Sequence, residues 1–180
     1  MPPVMKVAGG IVLCKGDERM TENTKPLNWH KFLIYFGLWV GSALGLLVAV
    51  GYFTGAVYGG AEEVIYRAFP VLKWVDIAYC LLLIGLSVYG IHTRYQLAGF
   101  KESAPKKLLS LYVAMSVVFL AYTLCSAGIM THRLVSLGHP DAAEQVWFFV
   151  GKSFWQLFPM LIMFLINKKY YGNRKDLFVN

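Results

Sequence analysis

Residues 36–53 read FGLWVGSALGLLVAVGYF, eighteen positions without a single charged side chain. An α-helix needs roughly 20 apolar residues to cross a hydrocarbon layer about 30 Å thick, and with its flanks this stretch is long enough. Three more runs of the same kind follow, so the candidate spans are Trp29 to Phe53, Val71 to His92, Pro105 to Met130 and Ala142 to Asn167. The composition agrees: 57% of the 180 residues are hydrophobic and 15% charged, with a mean hydropathy of +0.52, whereas about a quarter of the residues of a soluble domain are charged. The predicted fold is all-α, a single four-helix membrane bundle over 29–171. It is flanked by a cytoplasmic segment, 1–28, and a cytoplasmic tail, 172–180. Within these 180 residues no soluble catalytic domain is expected.

The first run is too long for the apolar core of a signal peptide and lacks a small-residue cleavage site behind it. It reads as a retained span. Gly37, Gly41, Gly45 and Ala49 recur every fourth residue along it, a stripe of small side chains that lets another backbone approach closely. Packing within the bundle is one use of that stripe, and a homo-oligomer interface is another.

Orientation follows from the basic residues, which concentrate on the cytoplasmic side of membrane proteins. Thirteen of the 17 Lys and Arg fall in the amino-terminal segment, the middle connector (Arg94, Lys101, Lys106, Lys107) and the carboxyl tail (Lys168, Lys169, Arg174, Lys175). Both termini are therefore predicted in the cytoplasm, and a bacterial cytoplasmic membrane is the expected location. The net charge of +7 becomes a topology signal and needs no nucleic acid to explain it. Ser103-Ala104-Pro105 reads as a helix start with a capping hydroxyl, and Gly138-His139-Pro140-Asp141 as a turn between helices. Ala61 to Phe69 reads as a short surface helix. Lys15-Gly16-Asp17 ahead of Met20 is what an in-frame purine-rich ribosome-binding site encodes, so the natural chain is expected to start at Met20; a short cytoplasmic tail is the competing reading.

Asn28-Trp29-His30-Lys31-Phe32, Phe69-Pro70-Val71-Leu72-Lys73-Trp74-Val75-Asp76 and Thr93-Arg94-Tyr95-Gln96-Leu97-Ala98-Gly99-Phe100 together resemble a group of small four-span membrane proteins of Firmicutes-type gut bacteria. The resemblance covers roughly Asn28 to Tyr171 and implies a four-span fold and a bacterial origin. It brings no activity. Many members carry an amino-terminal zinc ribbon with paired Cys-x-x-Cys motifs, which this sequence lacks, since Cys14 stands alone.

Candidate functional residues are few. Cys80 and Cys125 sit inside spans, where a small apolar thiol needs no further role. His30 and His92 fall at one face and His132 and His139 at the other; paired imidazoles can ligate haem iron, but an imidazole at a helix end needs no ligand. No cofactor or metal is expected. The strongest signal is a pair of charges. Asp76 lies 16 residues before His92 and Lys152 lies 15 before Asn167, so at 1.5 Å per residue both sit roughly 22 to 24 Å from the cytoplasmic boundary. An intramembrane charge must pair, snorkel or face a polar cavity. Three uses stay open: a salt bridge between the second and fourth helices with Tyr79, Ser153 and Gln156 nearby, snorkelling of Lys152, or a substrate or proton site. Pro159 should disturb the fourth span.

No catalytic triad, zinc-protease motif or phosphate loop is present, so no enzyme is expected. The leading reading is a non-enzymatic bundle that contacts the lipid bilayer and acts through assembly or a membrane partner. The alternative is a small transporter or channel subunit with a polar site near Asp76 and Lys152.

Overall fold

The computed structural model describes residues 27–178. Cys14, the Met20 start and nearly all of the amino-terminal segment lie outside the described residues. Four long helices carry the chain: α1, Asn28–Phe53; α3, Pro70–Ala98; α4, Ala104–Ser136; and α5, Asp141–Gly172. A short helix α2, Glu62–Ala68, lies in the first connector. All four long helices have the length and hydropathy to cross a membrane, so the chain is a multi-pass, all-helical membrane protein. Because the spans are even in number, residue 27, the α3–α4 turn and the carboxyl end share one side, the basic end. The first and third connectors share the other, the linker end.

Spans two to four run five or six residues past the ends expected for them, to Ala98, Ser136 and Gly172. Nothing in Thr93-Arg94-Tyr95-Gln96 breaks a helix, so backbone hydrogen bonding continues where hydrophobicity stops. His92 is therefore not terminal; the Gln96 side-chain amide lies 2.6 Å from its Nε2. The α3–α4 turn also differs from expectation. Ser103 precedes α4 but makes no cap; its hydroxyl donates instead to Gln96 Oε1 at 3.3 Å. Phe100 takes a left-handed backbone, φ 50°, which costs a residue with a Cβ about 1 kcal/mol or more. Stacking of its ring on His30, centroids 4.9 Å apart, helps hold it there.

Helices α1 and α3 pack together through small residues in an antiparallel register. A Cβ on Gly45 would lie 2.6 Å from Ser87 Oγ, and one on Gly90 would lie 2.8 Å from Ser42 Oγ. Two serines thus seat opposite two glycines. Below them Ala49 is buried, and its carbonyl accepts the Cys80 thiol at 3.3 Å. The close contacts on α1 fall at Ser42, Gly45 and Ala49. Gly37 and Gly41, the rest of the four-residue stripe, border a small cavity between the helices instead, and a Cβ on Gly41 would meet nothing within 4 Å.

Two irregular turns punctuate the bundle. Leu33–Gly37 forms a π-turn in α1, with Leu38 N–H bonded back to Leu33. Arg94 Nε donates to the Ile34 carbonyl at 3.1 Å while its guanidinium lies against Trp39 and Tyr95. In α5 a 3-10 turn occupies Phe154–Gln156, directly before Pro159. Proline has no N–H to bond the Trp155 carbonyl and its ring crowds it, so the helix tightens there.

Helix α3 packs on α1 and α4, while α5 packs on α4. Helices α1 and α5 join at the basic end, where Trp29 Nε1 donates to Asn167 Oδ1 at 3.0 Å and His30 Nδ1 lies 3.0 Å from the Tyr171 hydroxyl. His30 is buried rather than interfacial, because Phe100, Tyr171 and Phe178 close around it.

The register predicts that Gly45→Leu forces α1 and α3 apart and costs about 1–3 kcal/mol, while Gly41→Leu, placed in open space, costs less than about 0.5 kcal/mol. Thermal unfolding of the two variants in detergent measures the difference; equal losses would refute the register.

Candidate functional site

Asp76 lies in the second turn of α3 and is 1% exposed. A carboxylate in an apolar bundle needs donors for its oxygens. Here the donors are phenols. The Tyr58 and Tyr66 hydroxyls donate to Oδ2 at 2.6 and 2.9 Å, and Tyr122 donates to Oδ1 at 2.9 Å. Tyr122 belongs to α4; Tyr58 and Tyr66 belong to the first connector, which folds back over the start of α3.

The rings hold one another. Tyr79 stacks on Tyr122, centroids 4.0 Å apart and planes 15° from parallel. Tyr52 of α1 meets Tyr58, Tyr79 and Tyr122 edge-on. Edge-to-face and offset pairs of this kind add roughly 0.5–1.5 kcal/mol each beyond area burial. The connector reaches Asp76 because it turns sharply: Gly55, Gly59 and Gly60 all have positive φ, a backbone that glycine adopts freely. At Gly55 the space is closed as well, since a Cβ would come within 2.6 Å of Glu62. Helix α2 then turns Tyr66 inward, with Val64 and Arg67 outward.

The two connector phenols are firm proton donors. Burial, and next the hydrogen bond to Asp76, push Tyr66 up to about 12 and raise Tyr58 further. Both stay protonated at neutral pH.

Asp76 and Lys152 do not pair. The ammonium of Lys152 lies over the rings of Phe148 and Phe149, 4.6 and 5.8 Å from their centroids, and the residue is exposed. Among the described residues the one ion pair joins Arg67 to Glu63 on the surface of α2. The physical reason is the packing order: α4 stands between α3 and α5, so a shared depth did not mean adjacency. Tyr79 does join the cluster, as a ring. Ser153 and Gln156 stay with Lys152, and the Ser153 hydroxyl donates to its own helix at Phe149. The donors on Asp76 were not singled out in the sequence. Tyr122 was within reach, since it lies 17 residues past Pro105, roughly 25 Å from the basic end, at the depth assigned to Asp76.

Among the described residues no group of three or more His, Cys, Asp and Glu side chains is placed to hold a metal. Cys80 and Cys125 are free thiols. No protein-family profile, curated protein or solved structure matches the chain. The site is therefore read from its own geometry.

Removing one donor from a buried carboxylate should cost about 1.5–3 kcal/mol. Tyr122→Phe is expected to lower unfolding stability by that amount, and Lys152→Ala to change it by less than about 0.5 kcal/mol; the reverse order would show that the charge is held elsewhere. Alkali gives a second test. Because Tyr66 is raised from its ordinary 10 to about 12, its contribution is complete below pH 10 and is lost as pH rises through about 12. Tyrosinate absorbance should contain a component titrating near 12 that shrinks by one tyrosine in Tyr66→Phe.

Proposed function

We propose that this protein is a non-enzymatic membrane bundle that passes protons, with Asp76 as its protonatable station. The observation that supports the reading is the Asp76 carboxylate itself, buried within a span, held by three phenols and without a cationic partner among the described residues. An ionisable group kept at that depth needs a function or a counter-charge. A carboxylate offers about four lone-pair positions, and the two phenols on Oδ2 with the one on Oδ1 take three. A proton can bind at the fourth, on Oδ1, without displacing a connector tyrosine. A counter-ion such as sodium would have to compete with three O–H groups that point their hydrogens inward, which is why a proton is the better-matched cargo.

Access from the linker end is short, because Tyr58 and Tyr66 are only half-buried. Toward the basic end, a cavity of about 100 Å³ lies between α1, α3 and α4, bordered by Leu83, Ser42, Ser87 and Tyr112. It begins two turns below Asp76 and is large enough for water. The intervening turn, with Cys80 and Ala49 in contact, would close the path at rest. By the positive-inside reading the linker end faces outward, so the station sits near the external surface.

A second reading has its own observation. Tyr58 and Tyr66 both come from the connector, so Asp76 also works as a clamp that shapes the linker end for a partner in the membrane. The two readings separate in purified protein reconstituted into vesicles carrying an internal pH dye. With an imposed pH gradient, wild-type protein should dissipate it, and Asp76→Asn should slow this at least tenfold while keeping its helical content and its yield. Vesicles that hold the gradient equally well with and without wild-type protein would overturn the proton reading and leave the clamp.

A further inference from the structure

We propose that the cleft between α4 and α5 is a binding site for one anionic phospholipid, whose phosphate sits at the basic end and whose acyl chain runs along the two helices. The polar mouth is a cavity of about 500 Å³ bordered by Lys106, Lys168 and Lys175, with Glu102 as the one opposing charge among the described side chains. Three ammonium groups against one carboxylate leave a net charge of +2, matched to a phosphate-bearing headgroup. The floor is built rather than loose. Tyr171 and Phe178 border the same cavity, are 3% and 5% exposed, and pack edge-on against each other and against His30.

An apolar groove of about 460 Å³ continues from that mouth, with Val113, Val117 and Leu120 on one wall and Leu157, Leu161 and Phe164 on the other. The continuity follows from helical spacing. Lys106, Leu109, Val113, Val117 and Leu120 advance by three or four residues and so share one face of α4, as Lys168, Phe164, Leu161 and Leu157 do on α5. Lys168 bridges the two parts, its ammonium 6.0 Å from the centre of the Phe164 ring. From Lys106 to Leu120 the cleft is roughly 21 Å long, enough for the roughly 15 Å of one leaflet and the headgroup above it. It stops where α5 tightens at Phe154–Gln156.

Charge complementarity selects the occupant. A zwitterionic lipid would fit the groove but would bring its own cation toward three lysines, whereas phosphatidylglycerol or cardiolipin brings net negative charge. Basic pockets between membrane helices are suited to such headgroups.

The test uses the full chain, purified in neutral detergent, with native mass spectrometry and thermal unfolding as readouts. Phosphatidylglycerol is expected to stay bound as a single copy and to raise the unfolding temperature by several degrees. Phosphatidylcholine at the same concentration should do neither, and nor should inorganic phosphate or glycerol phosphate. Lys106→Gln with Lys168→Gln should weaken phosphatidylglycerol binding at least tenfold, while Lys101→Gln, at the same end but outside the cleft, should leave it unchanged. Val117→Trp fills the groove and should expel the lipid with every lysine in place, which keeps the proposal testable if the double variant fails to fold. Equal retention of phosphatidylcholine, undiminished binding in both cleft variants, or full stabilisation by inorganic phosphate alone would overturn it.

Discussion

A carboxylate six residues inside an apolar helix must be hydrogen-bonded on nearly all its lone pairs, because unmet polar groups in hydrocarbon cost several kcal/mol each. Asp76 meets that demand with three phenols drawn from three places in the chain. Much of the linker end follows from this. The connector must double back, which requires the left-handed glycines at 55, 59 and 60. Helix α2 must present Tyr66 inward, and Tyr122 must face α3 across the α3–α4 interface. The remaining ring surfaces must then be covered, which Tyr52 and Tyr79 do. One acidic side chain thus ties α1, α2, α3 and α4 together at that end.

Phenols suit the task better than lysine or arginine would. An ammonium or guanidinium would neutralise Asp76 but add a second desolvated charge, and buried pairs often fail to recover that loss. Phenol hydroxyls bring no net charge, donate one proton each and carry an apolar ring that packs as core. They also remain protonated far above neutral pH. The carboxylate is then hydrogen-bonded without a second charge being buried beside it.

The spans were legible in the sequence because an apolar run of sufficient length is a one-dimensional property. Their ends were not, since Thr93 to Gln96 stop the hydrophobic run without stopping the helix. Asp76 stood out as an acid in a span, but its partners depended on which helices touch, and residue depth carries no information on neighbours. That is why Lys152, at a similar depth on α5, looked like a partner while α4 in fact stands between. The same count applied to hydroxyls would have reached Tyr122. Tyr58 and Tyr66 were harder, because a connector folding back over a helix start leaves no periodic trace. His30 reads as interfacial in the sequence because the turn carrying Phe178 lies 148 residues away in the chain, and only the fold brings it back.

Packing style divides the bundle in two. Helices α1 and α3 meet through Gly, Ser and Ala, so their backbones come close along Ser42, Gly45 and Ala49. Along the groove between α4 and α5 the facing side chains are larger, such as Val117, Leu161 and Phe164, and only 6% of the most apolar stretch of α5 is buried within the protein. In a membrane, burying apolar surface against protein offers no advantage over lipid, so helices associate by the closeness of their contacts. The first pair therefore forms the frame on which Asp76 and its tyrosines are aligned. The second leaves a cleft lined by large side chains, up to the point where α5 tightens ahead of Pro159.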